Sequence, residues 1–64
     1  MKTLYEIIQE EEQNSQLSYD FYEHLKKCLK DEESDMAQDT LLYIEEYGLS
    51  AADEGFQKDP ESWK

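Results

Sequence analysis

Residues 30–40 read KDEESDMAQDT: one base, then five acids within nine positions. Lysines such as Lys27 and Lys30 suit the last turn of a helix and acids suit the first turn, because the helix dipole is negative at its C-terminus and positive at its N-terminus. Ser34 or Asp31 is placed to cap the helix that follows. The stretch therefore predicts a junction between two helices.

A single continuous helix over residues 18–47 is the alternative to a junction. No glycine or proline lies between Lys30 and Met36. Lys27 and Asp31 also have the i, i+4 spacing of an ion pair that stabilises a helix. Both interpretations make the region helical, and they differ in whether the acids lie in a turn.

Upstream of the junction, the pattern predicts an earlier helix and a gap. Thr3 and Glu6 have the spacing of a capping box at a helix N-terminus. Residues 13–16 (QNSQ) are the predicted gap, with Asn14 or Ser15 as the next N-cap.

Downstream, the hydrophobic stripe ends at Gly48, which can take the left-handed conformation that often closes a helix. The residues from Ser50 onward predict one further short turn of helix that stops near Gly55. The last residues, 56–64 (FQKDPESWK), contain a proline and have no periodicity, so we expect a loose tail.

Together these signals predict an all-α fold of two to three short helices, arranged as a helical hairpin or small bundle. Residues 1–50 form the predicted helical domain, and residues 51–64 form the short helical turn and flexible tail. The predicted core consists of the hydrophobic residues at helical spacing: Leu4, Ile7, Ile8, Leu17, Phe21, Leu25, Leu29, Met36, Leu41, Ile44 and Leu49.

Charge dominates the composition of this 64-residue chain. Seventeen acids against six lysines, with no arginine, give a net charge of −11. Such a charge opposes direct binding to nucleic acid or to an anionic membrane and favours a basic protein partner. Five tyrosines, two phenylalanines and a tryptophan argue against a wholly disordered acidic chain.

Size and cysteine content bound stability and location. Chains this small bury a smaller fraction of their surface on folding than larger domains do, so self-association into a homodimer is a natural way to add buried surface. Cys28 is the only cysteine, which fits a reducing compartment. No apolar run has the length of a signal peptide or a membrane span, and we expect a cytoplasmic protein.

Two groups of side chains could in principle bind a metal ion, one as a calcium loop and one as a zinc site. An EF-hand loop beginning at Asp31 would have Met36 where glycine is needed and Leu42 where a bidentate glutamate is needed, so it fails. Asp20, His24 and Cys28 share one helical face and could supply three zinc ligands from one chain. A dimer would be needed to complete such a site. The simpler interpretation, a small core cysteine and a surface histidine, is favoured, and no metal or cofactor is predicted.

Catalysis has little support in the sequence. The chain has no nucleophile and base oriented by a third group in a known motif, and no glycine-rich phosphate loop. A chain of this size was also expected to have no room for a pocket of several hundred cubic ångströms. We therefore predict that the protein is not an enzyme.

An acidic surface with tyrosines is the best candidate for function. Nine acids and no base lie between Lys30 and Lys58. Tyr43 and Tyr47 share a helical face, and tyrosine is enriched at protein interfaces. The ordinary alternative is a solvated helix surface with tyrosines at the edge of the core. The predicted partner-binding residues are Asp31, Glu32, Glu33, Asp35, Asp39, Tyr43, Glu46 and Tyr47.

In size, acidity and helical pattern the chain resembles the small proteins encoded by temperate bacteriophages and other mobile elements. The resemblance rests on composition and on no motif, so it transfers no functional residue. It implies a non-enzymatic regulator that binds a host protein stoichiometrically in the host cytoplasm. The alternative is a DNA mimic that inhibits a nucleic-acid-binding protein, because carboxylates along helices can imitate the spacing of phosphates.

Overall fold

The structure, a computed structural model, describes residues 3–63. Four helices follow one another: α1 (Leu4–Asn14), α2 (Tyr19–Lys30), α3 (Asp35–Tyr47) and α4 (Leu49–Lys58). A 3-10 turn over Pro60–Trp63, here called the C-terminal turn, ends the described chain. The all-α prediction is confirmed, whereas the predicted count of two to three helices is wrong. None of the helices in residues 3–63 is long and apolar enough to cross a membrane.

The KDEESDMAQDT stretch is a junction, as its charge pattern predicts. Asp31 ends α2, and Ser34 begins α3 by accepting a hydrogen bond on its hydroxyl from the backbone N–H of Ala37 at 3.2 Å. The single-helix alternative is wrong because residues 31–34 leave the helical path. The exposed acids Asp31, Glu32 and Glu33 therefore lie in the α2–α3 turn.

The α1–α2 connection was predicted only in part. Thr3 caps α1 as expected, with its hydroxyl 3.2 Å from the N–H of Glu6. The predicted N-cap at Asn14 or Ser15 is wrong, because α1 runs through Asn14 and Ser15 ends it with a φ of 50°. The buried Glu11 carboxylate shapes this connection by accepting the backbone N–H groups of residues 16 and 17, at 2.9 and 2.8 Å.

Hydrogen bonds to residues of α4 hold the start of α2 in place. Ser18 is the N-cap residue, but its side chain does not cap its own helix. Instead Asp53 of α4 accepts both the Ser18 backbone N–H, at 3.2 Å, and the Ser18 hydroxyl, at 2.7 Å. Gln57 donates to the same hydroxyl at 2.7 Å. These bonds join α4 to the beginning of α2.

Helix α4 continues past the predicted stop at Gly55. A Cβ at Gly55 would lie 3.1 Å from the Tyr43 hydroxyl oxygen and 3.4 Å from a ring carbon of Trp63. Glycine is therefore used here for close packing of aromatic rings and not to end a helix. The prediction failed because a glycine that admits a neighbour and a glycine that ends a helix look alike in the sequence.

The core is built from the predicted residues and several others. Leu4, Ile7, Ile8, Phe21 and Leu25 are buried, and the other six predicted members pack against them while partly exposed. Cys28 is buried, which confirms its interpretation as a small core residue. Residues outside the predicted core complete it: Ala37, Thr40, Ala52 and Phe56. Phe56 had been assigned to the loose tail, and it is buried because α4 packs against α2.

Gly48 connects α3 directly to α4, with φ 100° and ψ 162°. This lies outside the left-handed helical well and in a region that only glycine visits readily, at a cost of about 1–3 kcal/mol for other residues. Nothing lies within 4 Å of a Cβ built at Gly48, so the cost is one of backbone conformation alone.

Replacing Gly48 tests this geometry. We expect Gly48→Ala to lower the free energy of unfolding by about 1–3 kcal/mol. D-alanine at position 48, in a chemically synthesised chain, should be more stable than the L-alanine variant, since positive φ suits D-residues. Denaturant unfolding followed by circular dichroism measures both. An L-alanine variant as stable as the glycine protein would contradict the assignment.

Candidate protein-binding groove

One face of α3 brings three of the predicted binding residues into line. Asp35, Asp39 and Tyr43 are each four residues apart, so their side chains project from successive turns of the same helix. Tyr47 continues the line and is 61% exposed. Its exposure disfavours the alternative in which Tyr47 only completes the edge of the core.

An open groove of about 460 Å³ runs between this face and the C-terminal turn. Asp35, Met36, Asp39 and Tyr43 line it from α3, and Trp63 lines it from the opposite side. The expectation that the chain has no room for a pocket of this size is wrong. The groove exists because the C-terminal turn brings Trp63 against Tyr43.

Two aromatic rings in contact line the groove, those of Tyr43 and Trp63. Their centroids are 4.9 Å apart at an interplanar angle of 58°. We call these two residues the aromatic wall. Tyr47 lies outside the groove lining and contacts Tyr43, with centroids 4.7 Å apart at 46°.

The other predicted binding residues lie outside the groove. Asp31, Glu32 and Glu33 are exposed in the α2–α3 turn, and Glu46 is exposed near the end of α3. The structure thus gathers Asp35, Asp39 and Tyr43 in the groove lining.

Trp63 is the groove residue that the sequence did not identify. It is the only tryptophan of the chain, and it was assigned to the loose tail because residues 56–64 have no helical periodicity. A lone tryptophan close to the end of a charged segment was the available signal, since such a side chain gains much by burial.

The groove carboxylates are uncompensated within the described part of the chain. Neither Asp35 nor Asp39 has an ion pair or side-chain hydrogen bond with another of the residues 3–63. Asp53, by contrast, is occupied by Ser18. The groove therefore combines negative charge that has no partner within residues 3–63 with partly exposed aromatic surface, which is the chemistry that recognises a cation.

Beneath the groove lies a buried polar cluster of His24, Cys28 and Thr40. His24 Nε2 is 3.0 Å from Thr40 Oγ1, and the Cys28 sulfur is 3.7 Å from Nε2 and 3.8 Å from Oγ1. Thr40 donates its hydroxyl hydrogen to the carbonyl oxygen of Met36 at 2.8 Å. Its oxygen must then accept from His24, which assigns the neutral Nε2–H tautomer to His24.

His24 is buried, so its prediction as a surface residue is wrong. Its ring lies 4.9 Å from that of Phe56 and 5.9 Å from that of Trp63, measured between centroids. Burial, and secondly the charge of Lys27, lower the pKa of His24. Burial raises the pKa of the Cys28 thiol, opposed in part by its hydrogen bond with Thr40. Both groups are therefore neutral at pH 7.

The three residues considered as zinc ligands, and not favoured as such, are only partly brought together. His24 and Cys28 face each other across Thr40, whereas Asp20 is exposed on the surface of α2. Over residues 3–63, no group of three or more histidine, cysteine or acidic side chains has the arrangement of a metal site.

Comparison of the chain with protein-family models, with curated proteins and with solved structures found no match.

The buried His24 makes a pH-dependent contribution to stability. Because its pKa is lowered in the folded protein, the unfolded chain takes up the proton first as the pH falls below about 6.5. The contribution is fully present above that pH. Below it, the contribution falls by up to about 1.4 kcal/mol per pH unit until the folded-state pKa is reached.

A His24→Gln variant isolates this contribution from the titration of the many carboxylates. The stability advantage of the natural protein over the variant should shrink as the pH is lowered from 7.5 to 5. Denaturant unfolding at each pH measures it. An advantage that is constant across this range would show that His24 is not buried in its neutral form.

Proposed function

We propose that this chain is a small non-enzymatic regulator that binds a basic surface of another protein stoichiometrically, through α3 and the α2–α3 turn. The observation that carries the proposal is the placement of Asp35 and Asp39, acids without a partner within residues 3–63, on the same face of α3 as the partly exposed Tyr43 and the exposed Tyr47. Aromatic side chains supply contact area at an interface, and surrounding charges speed encounter and select the partner.

Long-range charge supports the same assignment of partner type. The net charge of −11 attracts basic proteins before contact and repels nucleic acid and anionic lipid. The proposal places the protein in the cytoplasm, and in the host cytoplasm if a bacteriophage or mobile element encodes it. Self-association into a homodimer is a separate prediction, which sedimentation of the pure chain tests.

A DNA mimic is the second candidate. The exposed acids of the α2–α3 turn and of the first turns of α3 favour it, because five exposed carboxylates follow one another within nine residues. Ionic strength separates the two candidates. The affinity of a mimic falls steeply between low and moderate salt, whereas the affinity of an interface that combines charge with aromatic contacts falls less.

The turn acids provide a test with a matched control. We expect neutralisation of Asp31, Glu32 and Glu33 to asparagine or glutamine to weaken binding of the partner roughly tenfold, mainly through slower association. The control neutralises three exposed acids outside α3 and the α2–α3 turn: Glu6, Asp20 and Glu54. The partner is first captured from a host lysate on the immobilised chain and then titrated with each variant by calorimetry.

The two variants have the same net charge, so a difference between them locates the interface. Equal weakening by both would contradict a localised binding face and leave only general charge attraction. Loss of binding at moderate salt, together with competition by duplex DNA, would favour the mimic.

A further inference from the structure

We propose that the groove between α3 and the C-terminal turn binds one arginine side chain of the partner. The inference rests on the proposed function and adds to it the residue type that the groove recognises. It is carried by the carboxylates, the aromatic wall and the composition of the chain itself.

The two carboxylates suit a guanidinium group. Asp35 and Asp39 stand one helical turn apart, so their side chains begin about 5–6 Å from each other. A planar guanidinium has five donors in a fixed fork and can bond both carboxylates at once, whereas an ammonium acts as a point charge. Neither aspartate has a competing partner within residues 3–63.

The aromatic wall favours the same group. Its two rings contact each other, with centroids 4.9 Å apart, so no cation fits between them. This arrangement excludes a cage around a methylated ammonium. Both rings line the groove and are only partly buried, so a flat guanidinium can stack on the part that is exposed there.

The remaining surfaces suit the aliphatic part of a long side chain. Met36 lines the groove between the carboxylates and the core. The methylene groups of an arginine can lie along this apolar surface while its charged end meets Asp35 and Asp39. The volume of about 460 Å³ accepts a side chain of this length and not a folded segment.

The occupant comes from a different protein. The six bases of this chain are all lysines, so a second copy cannot supply an arginine.

Matched peptides test the preference directly. Three peptides of sequence acetyl-Gly-Lys-Gly-X-Gly-Lys-Gly-amide carry arginine, lysine or citrulline at X, where citrulline is the neutral isostere of arginine. Emission of Trp63, the single tryptophan, reports occupancy of the groove. At 150 mM salt the arginine peptide should bind about fivefold or more tightly than the lysine peptide. The citrulline peptide should be the weakest of the three.

Paired variants assign the preference to the groove. Asp35→Asn/Asp39→Asn should abolish the advantage of arginine over lysine. Glu45→Gln/Glu54→Gln, which removes the same charge from exposed positions outside the groove lining, should keep it. Circular dichroism of each variant establishes that it is folded.

The outcomes separate this inference from the proposed function. Equal affinity for the arginine and lysine peptides, or a preference that survives in the Asp35→Asn/Asp39→Asn variant, would overturn the arginine assignment and leave binding to a basic protein standing. If the chain binds neither the basic peptides nor any basic protein, the arginine assignment and the proposed function are both overturned.

Discussion

The fold depends on a cluster of aromatic rings that joins α2, α4 and the C-terminal turn. Trp63 stands edge-on to Phe21, His24 and Phe56, with centroids 6.0, 5.9 and 5.9 Å away. These contacts hold α4 and the C-terminal turn against α2. The ring of Trp63 then also contacts Tyr43 of α3. Without this closure the groove would lack one side.

The positions of the charged and polar side chains explain how so acidic a chain folds. Among residues 3–63 every acid and lysine except Glu11 is at least partly exposed, and the buried Glu11 carboxylate accepts two backbone N–H groups. The buried polar atoms satisfy one another: His24, Cys28 and Thr40 share hydrogen bonds, and the Thr40 hydroxyl donates to a backbone carbonyl. Among the described residues no buried side-chain nitrogen or oxygen lacks a partner. Most of the repulsion between carboxylates therefore acts at the solvated surface, where water and salt weaken it.

Local features were predictable and contacts between distant residues were not. The caps at Thr3 and Ser34 follow from their immediate neighbours in the sequence, as does the turn at residues 31–34. The bond between Ser18 and Asp53 links positions 35 residues apart, and nothing near Ser18 indicates it. The acids and tyrosines of α3 were identified from spacing, whereas Trp63 belongs to the groove only through tertiary packing. The fold class could thus be predicted, but only one side of the candidate site.

The most direct test is the position of the Trp63 ring in dilute neutral solution. In a proton nuclear Overhauser spectrum, its indole protons should show cross-peaks to the rings of Tyr43, Phe56 and Phe21. The indole N–H resonance should also lie away from its random-coil position. A random-coil indole signal without these cross-peaks would mean that the C-terminal turn is loose, and that the groove and the arginine site do not exist.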